Sequence, residues 1–288
     1  YQCDWSSDVC SSDPGVEACA MNGGAAIRIH ASAISLALLL VSLWSGHAQA
    51  ESCHIAPQHA GVTFPVERVD PAWVCRLQPI IEDFTTANKI GPVLTPLQES
   101  VYVYLLDRPP VAAALVNRLE LGLYKAEQRG PGRYWGNDGE GTEGLVELVY
   151  LDPRHRLYYL EGSHHSTLLP HVTGKAVVLL SMAPVKDSAG HEAVETTLVS
   201  YTRLDNRILA GLVSLLRPLV GRTVSRKLMK GVDAVTQLGL EMRRHPDRVL
   251  FEAADPPPLP PEDVAFLTQA LAAMPRAATI YEKGPASR

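Results

Sequence analysis

Asn206 to Arg244 reads NRILAGLVSLLRPLVGRTVSRKLMKGVDAVTQLGLEMRR, and this stretch decides the fold. Ile208, Leu212, Leu215, Leu219, Leu228, Val232, Val235 and Met242 recur at steps of three and four or their multiples. That spacing gathers them on one face of a long helix. Pro218 and Gly221 fall inside the run. Proline removes a helical hydrogen bond and clashes with the preceding turn, so a kink or a division is expected there. His245-Pro246 closes the helix.

Working back from this helix, the chain changes period. Glu192 to Leu204, Lys175 to Met182 (KAVVLLSM), Leu157 to Gly162 (LYYLEG), Gly144 to Leu151, Arg133 to Gly136 and Leu123 to Arg129 read as strands. Between them stand turn residues: Asp187 to Gly190, Asp152-Pro153, Asn137-Asp138-Gly139 and Gly130-Pro131-Gly132. Turns at such short intervals predict an antiparallel meander, not alternating β-α units. Pro109-Pro110 open a helix running to Glu120, since proline suits a first turn, and Gly122 ends it. Leu97 to Asp107, with its SVYVYLL core, is rich in β-branched and aromatic residues and reads as a strand. The class is therefore α+β, a sheet followed by one dominant helix that roofs it.

Glu51 to Pro96 is a proline- and histidine-rich lead-in with one short helix expected over Pro79 to Asn88. From residue 247 to the end the chain reads as a tail. It holds a rigid Pro256 to Pro261 spacer and a short helix to Met274, with disorder expected from Glu282. At the other end, Asp4 to Asp13 (DWSSDVCSSD) resembles a translated sequencing adaptor, so residues 1–20 read as an assembly artefact. Met21 to Ala50 reads as a signal peptide, with Arg28 and His30 ahead of an apolar run and Ala48-Gln49-Ala50 as the cleavage site. The apolar run, Ile34 to Trp44, is shorter than the ~20 residues a spanning helix needs, which disfavours the alternative of an uncleaved anchor. A periplasmic or secreted protein is the expectation.

From Glu51 onward there are 25 basic and 27 acidic residues, a net charge of −2, which leaves no electrostatic footprint for nucleic acid. Cys53 and Cys75 remain, and in an oxidising compartment a disulfide is their default state.

Strand, short helix, antiparallel strands and a long final helix, in that order over residues 97–246, resemble the START-like (polyketide cyclase, SRPBCC, Bet v 1-type) superfamily. That resemblance implies a helix-grip fold, a curved antiparallel sheet wrapped around the last helix with a cavity between them. It further implies carriage of a hydrophobic small molecule of the lipid or isoprenoid class, or cyclase and dehydratase chemistry on the same scaffold. Leu212, Leu216 and Val220, with Tyr158 and Tyr159 from the strands, are the expected lining; the alternative is that they pack as a solid core. Trp135, in the glycine-dense stretch Gln128 to Gly144, reads either as part of a β-hairpin or as a lid over the cavity mouth.

Glu161-Gly162-Ser163-His164-His165, with His171 behind it, is the cluster with most acid–base potential. Neighbouring strand residues face opposite ways, so His164 and His165 cannot serve one metal, and no zinc signature is matched. Glu161 and His164 are the candidates for proton transfer in the enzyme alternative. Ser163, His191 and Asp187 lack a nucleophile elbow, which argues against a hydrolase. Arg217, Arg222, Arg226, Lys227 and Lys230 make the long helix basic; this is a solvated face or a transient contact with anionic membrane headgroups. The reading requires no cofactor and no metal. Its favoured form is a non-catalytic exported carrier, with the enzyme second and an envelope interaction module third.

Overall fold

The computed structural model describes residues 53–165, 171–205 and 213–274, without the side chains of 213–217. The expected artefact, the signal segment and the tail from Glu282 lie outside these residues.

The lead-in forms a two-residue hairpin, β1 (Gln58–His59) with β2 (Val62–Thr63), and then helix α1 (Pro71–Glu82). Asp70 caps α1 by accepting from the amide of Ala72, and Pro71 occupies its first turn. The helix thus starts well before the expected Pro79, because this capped start outweighs the break that an internal proline invites. Cys53 and Cys75 are joined as a disulfide with a Cα–Cα distance of 4.9 Å, tying the lead-in to α1.

Seven antiparallel strands follow: β3 (Thr86–Thr95), β4 (Lys125–Gly130), β5 (Arg133–Asn137), β6 (Thr142–Leu151), β7 (His155–His164), β8 (Val172–Lys186) and β9 (Glu192–Leu204). Their order across the sheet is β3-β9-β8-β7-β6-β5-β4. The first of them pairs with the last, so β3 and β4 are the two edges. Between β3 and β4 the chain makes two helices, α2 (Glu99–Asp107) and α3 (Pro109–Arg118).

Here the SVYVYLL expectation is corrected. The segment is helix α2, and it buries Val101, Tyr102 and Leu105, a spacing that shares one helical face. Its β-branched content is overridden by that face, which packs with Leu115 and Val116 of α3 into one core. The strand expected there lies earlier, at β3, whose polar TANKIGPVLT sequence hides it. Pro92 sits where the β3–β9 register shifts, between Ile90 and Val93, a position at which a strand tolerates the missing N–H.

The long helix is α4 (Val213–Arg244), continuous through Pro218 and Gly221 and not divided. Pro218, the sixth residue of the helix, costs it one intrahelical hydrogen bond without ending it, and Gly221 faces Thr86 of β3. Helix formation resumes at Pro246: α5 (Pro246–Ala254) and α6 (Pro261–Ala273) each begin on a proline and share a core with α2 and α3. Asp263 of α6, almost wholly buried, is held by Arg108 at 3.0 Å, and Phe266 stacks on Tyr104.

Two cores result. On the inner face of the sheet, Leu238 and Met242 of α4, fully buried, meet Val101, Leu115, Met182 and Val194. On the outer face, Phe64, Val66, Leu77 and Ile80 of the lead-in cover Leu157, Tyr159, Val177, Leu179 and Val199.

What curves the sheet is a row of glycines. Gly136, Gly144, Gly162 and Gly174 are successive cross-strand partners over β5, β6, β7 and β8, and the row ends on Leu204 of β9. Leu204 packs on Val220 of α4, so the row lies on the inner face. A Cβ at Gly144 would stand 2.5 Å from the carbonyl oxygen of Glu161 and 2.7 Å from the Cα of Gly162, closer than side-chain atoms approach. Glycine is required here for close backbone approach, which lets the strands bend toward the helix. The whole is a helix-grip arrangement, as expected.

Candidate functional site

The grip positions α4 along one edge of the sheet. Gly221 faces Thr86, Thr236 Oγ1 lies 3.5 Å from Thr95 Oγ1, and Gly239 abuts Pro96 and Leu97, so α4 runs beside β3. The helix comes closest to that edge strand, and Val220 packs on Leu204 of β9 beside Val172 of β8. On the same face, Val146 and Leu148 of β6, Leu160 of β7 and Ala176 of β8 are only partly buried. Among the described residues, an apolar wall across the middle of the grip is therefore incompletely covered.

One end of this wall meets a buried polar cluster. Arg156 of β7 donates from its guanidinium to Asp107 Oδ1 at 2.5 Å; its side chain is 3% exposed and that of Asp107 50%. The Arg156 charge also acts on the phenol of Tyr158, two residues along the same face, favouring its ionised form. Tyr102 of α2 accepts from Thr196 Oγ1 at 3.0 Å, and Tyr134 donates to the carbonyl oxygen of Asp107 at 3.0 Å. Burial penalises a charged guanidinium, yet the hydrogen bond and charge of Asp107 more than offset it and raise the Arg156 pKa. Burial pushes the Tyr158 phenol up to about 12, against the pull of Arg156, and raises Tyr102 as well. Two polar atoms in this interior have no partner among the described residues, the Nε of Arg156 and the Oγ of Ser200.

The other end carries an ionic clasp. Lys227 of α4 donates to Asp138 Oδ2 at 2.5 Å, and Lys230 donates to Glu140 Oε1. Both acceptors belong to the turn between β5 and β6. Burial works against the Asp138 carboxylate, but Lys227 and the amides of Thr142 and Glu140 hold its pKa below the usual range. His164 sits beside this clasp, its Nδ1 3.0 Å from Thr142 Oγ1, and burial followed by the Lys227 charge lowers its pKa.

The expected site residues separate onto two faces. Tyr158 and His164 are on the inner face with Val220, which is buried against Leu204 and close to Val172 and Val224. Tyr159 is on the outer face, packed on Trp73 with Arg76 over its ring, and donates to Glu161 Oε2 at 2.9 Å. Trp135 also faces outward, opposite Leu145, within the body of the hairpin and away from its tip. The period of two along a strand makes Tyr158 and Tyr159 mutually exclusive as lining, and the same rule separates Glu161 from His164. Leu212 and the side chains of Leu216 and Arg217 lie outside what is described. Lys227 and Lys230 are engaged in the clasp, while Arg222 and Arg226 are exposed.

Asp187 accepts from the amide of His191 and from Arg243 at 2.8 Å, which lowers its carboxyl to about 2. Ser163 stands at the far end of β8 from this turn, so the three do not form a triad. The rings of His165 and His171 are 6.3 Å apart, and no group of three metal-ligating side chains converges among the described residues. A recess beneath the lead-in, lined by Phe64, Val66, Tyr150, His155 and Leu157, has about 10 Å³ of free space, room for a single water.

Sequence reasoning missed Arg156, Asp107, Tyr102 and Ser200. One signal was present: Arg156 directly precedes LYYL and shares its parity with Tyr158, which puts an ionisable residue on a buried strand face.

No protein-family model matches the chain, and no curated protein matches it. Among solved structures it is similar to a conserved protein from Geobacillus kaustophilus, with 12% identity over 54% of this chain and 94% of that one and a TM-score of 0.39. An uncharacterized protein from Rhizobium leguminosarum is also similar, with 12% identity over 54% of this chain and 97% of that one and a TM-score of 0.32.

Proposed function

We propose that this protein is an exported, non-catalytic carrier that holds a hydrophobic small molecule of the lipid or isoprenoid class between its sheet and its long helix. The carrying observation is the inner wall: Val146, Leu148, Leu160 and Ala176 are only partly buried while α4 lies closest to the edge strand. Apolar side chains with a few placed polar groups are the composition of small-molecule sites. The strand order, with two helices after the first strand of the sheet and a long helix after the last, supports kinship with the START-like superfamily.

The interior chemistry favours carriage over catalysis. A general acid or base working near neutrality needs a pKa near neutrality. Burial moves Tyr158 and Tyr102 upward, away from that range, and Asp107 holds Arg156 charged. His164 stands apart from them at the clasp, and Glu161 is on the opposite face, so these two do not meet as an acid–base pair. Export is supported by the Cys53–Cys75 disulfide, a bond that persists in oxidising compartments, together with the signal-like Met21 to Ala50. No helix among the described residues is long and apolar enough to cross a membrane. Transient contact with an anionic membrane surface falls to Arg222 and Arg226, since Lys227 and Lys230 are paired with the hairpin turn.

The test is native mass spectrometry of the protein purified under oxidising conditions, followed by solvent extraction. A discrete adduct that extracts as lipid is expected. A protein that emerges empty and refuses every apolar probe would remove the carrier reading.

A further inference from the structure

The polar cluster at one end of the wall has donors to spare and a balanced charge, and these two properties together specify what it receives. The donors come first. Arg156 directs one N–H to Asp107, and its Nε–H has no partner among the described residues. The Tyr158 O–H donates to no other described residue. Arg156 and Tyr158 point to the same face of β7, so an acceptor placed between them meets both donors at once. Ser200, wholly buried and likewise without a partner among the described residues, adds a third polar point across Val178 on β9. A buried donor left unsatisfied costs about 1–3 kcal/mol. An acceptor brought by a ligand completes this set.

Charge decides which acceptor. The Arg156 guanidinium is matched by the carboxylate of Asp107, that of nearby Arg108 by Asp263, and the neighbouring phenols of Tyr102, Tyr134 and Tyr158 are neutral. A carboxylate or phosphate arriving here would leave the cluster with net negative charge, and an uncompensated buried charge is strongly disfavoured. A carbonyl oxygen satisfies the same donors and leaves the balance intact. Resting on the carrier reading, we propose that the ligand presents a neutral carbonyl, as an ester, ketone or quinone does, to Arg156 and Tyr158, and that Asp107 excludes free carboxylic acids by occupying the guanidinium.

Asp107 is well suited to a test, because its side chain is half-exposed and the Tyr134 contact is to its backbone carbonyl. Asp107→Asn keeps a hydrogen-bond acceptor for Arg156 and removes only the charge. The experiment displaces a neutral fluorescent probe, N-phenyl-1-naphthylamine, with methyl palmitate and with palmitic acid under alkaline conditions, where the acid is ionised. Wild-type protein is expected to bind the ester roughly tenfold or more tightly than the acid, a difference of about 1.4 kcal/mol. Asp107→Asn should reverse that order by removing the negative charge that opposes a carboxylate. Tyr158→Phe should weaken the ester while hexadecane, which has no polar end, binds as before. A wild-type preference for palmitate would overturn the proposal, as would an unchanged preference in Asp107→Asn. Binding of the probe and hexadecane with no discrimination between ester and acid would refute the carbonyl site and leave the carrier standing. Failure to bind even the neutral probe would refute the carrier itself.

Discussion

Replacing Cys53 and Cys75 together by alanine removes the covalent tie between the lead-in and α1. The bond spans a sequence separation of 22 residues. On the chain-entropy model, a loop of that length stabilises the fold by about 3.4 kcal/mol through the unfolded state. The native contacts survive the change, because Phe64, Val66, Leu77 and Ile80 still cover Leu157, Tyr159 and Leu179. The full entropic figure should therefore appear as lost stability. For a domain of this size each kcal/mol moves the melting temperature by roughly 2–4 °C, so the double variant should melt about 7–14 °C lower. The assay is a pair of thermal melts followed by circular dichroism, with and without reductant. Reductant should bring wild-type protein down to the variant's temperature and leave the variant where it was. A double variant that melts with wild type under oxidising conditions would refute the reasoning, since the lead-in would then be held by burial alone.

Two further outcomes follow from the geometry. Gly144→Val forces a side chain against the backbone of Glu161 and Gly162; overpacking of this kind costs about 1–3 kcal/mol. Melting should fall accordingly, and uptake of a neutral apolar probe should fall further, because the strands can no longer bend toward the helix; unchanged uptake would mean that the glycine row does not shape the wall. His59 is buried, with Nδ1 3.0 Å from the Tyr201 hydroxyl and no partner on Nε2 among the described residues, and burial lowers its pKa despite a hydrogen bond to the backbone of Ala56. A depressed folded-state pKa contributes stability that is present above the unfolded value, about 6.5, and lost as pH falls through the folded one. Melting temperatures should therefore drop between about pH 7 and about pH 5, and His59→Phe should flatten that dependence. An equally steep profile in His59→Phe would assign the loss to other groups, His164 first among them.

The sheet and its long helix are legible in the sequence because their patterns are long and repeated. LYYLEG, KAVVLLSM and the Glu192 to Leu204 run alternate or saturate over many residues, and the α4 face recurs over several turns. Misreading falls where two local signals compete. SVYVYLL carries strand-favouring residues, but its burial follows a helical spacing, with Val101, Tyr102 and Leu105 turned to the core. TANKIGPVLT looks like a loop because an edge strand needs only one buried face and tolerates Pro92 at a register shift. Of the site, Tyr158 and Val220 can be placed from periodicity. Parity along β7 excludes Tyr159 only once it is known which face α4 covers. Arg156 and Asp107 come together from a strand and from a segment that reads as a strand but is a helix, 49 residues apart, and no local pattern announces such a pair.

The two edges of the sheet bear on how these molecules meet one another. An edge strand offers unpaired amides and carbonyls to any passing chain, and long, flat, apolar edges are templates for aggregation. Neither edge here is of that kind. On β3 the ladder is broken by the shift between Ile90 and Val93, with Pro92 contributing no N–H. On β4 the exposed residues are Lys125, Glu127, Gln128 and Arg129, three of them charged. A sheet that must stay open on one side to grip a helix, and so cannot close into a barrel, is protected at both ends against adding a strand from a second molecule.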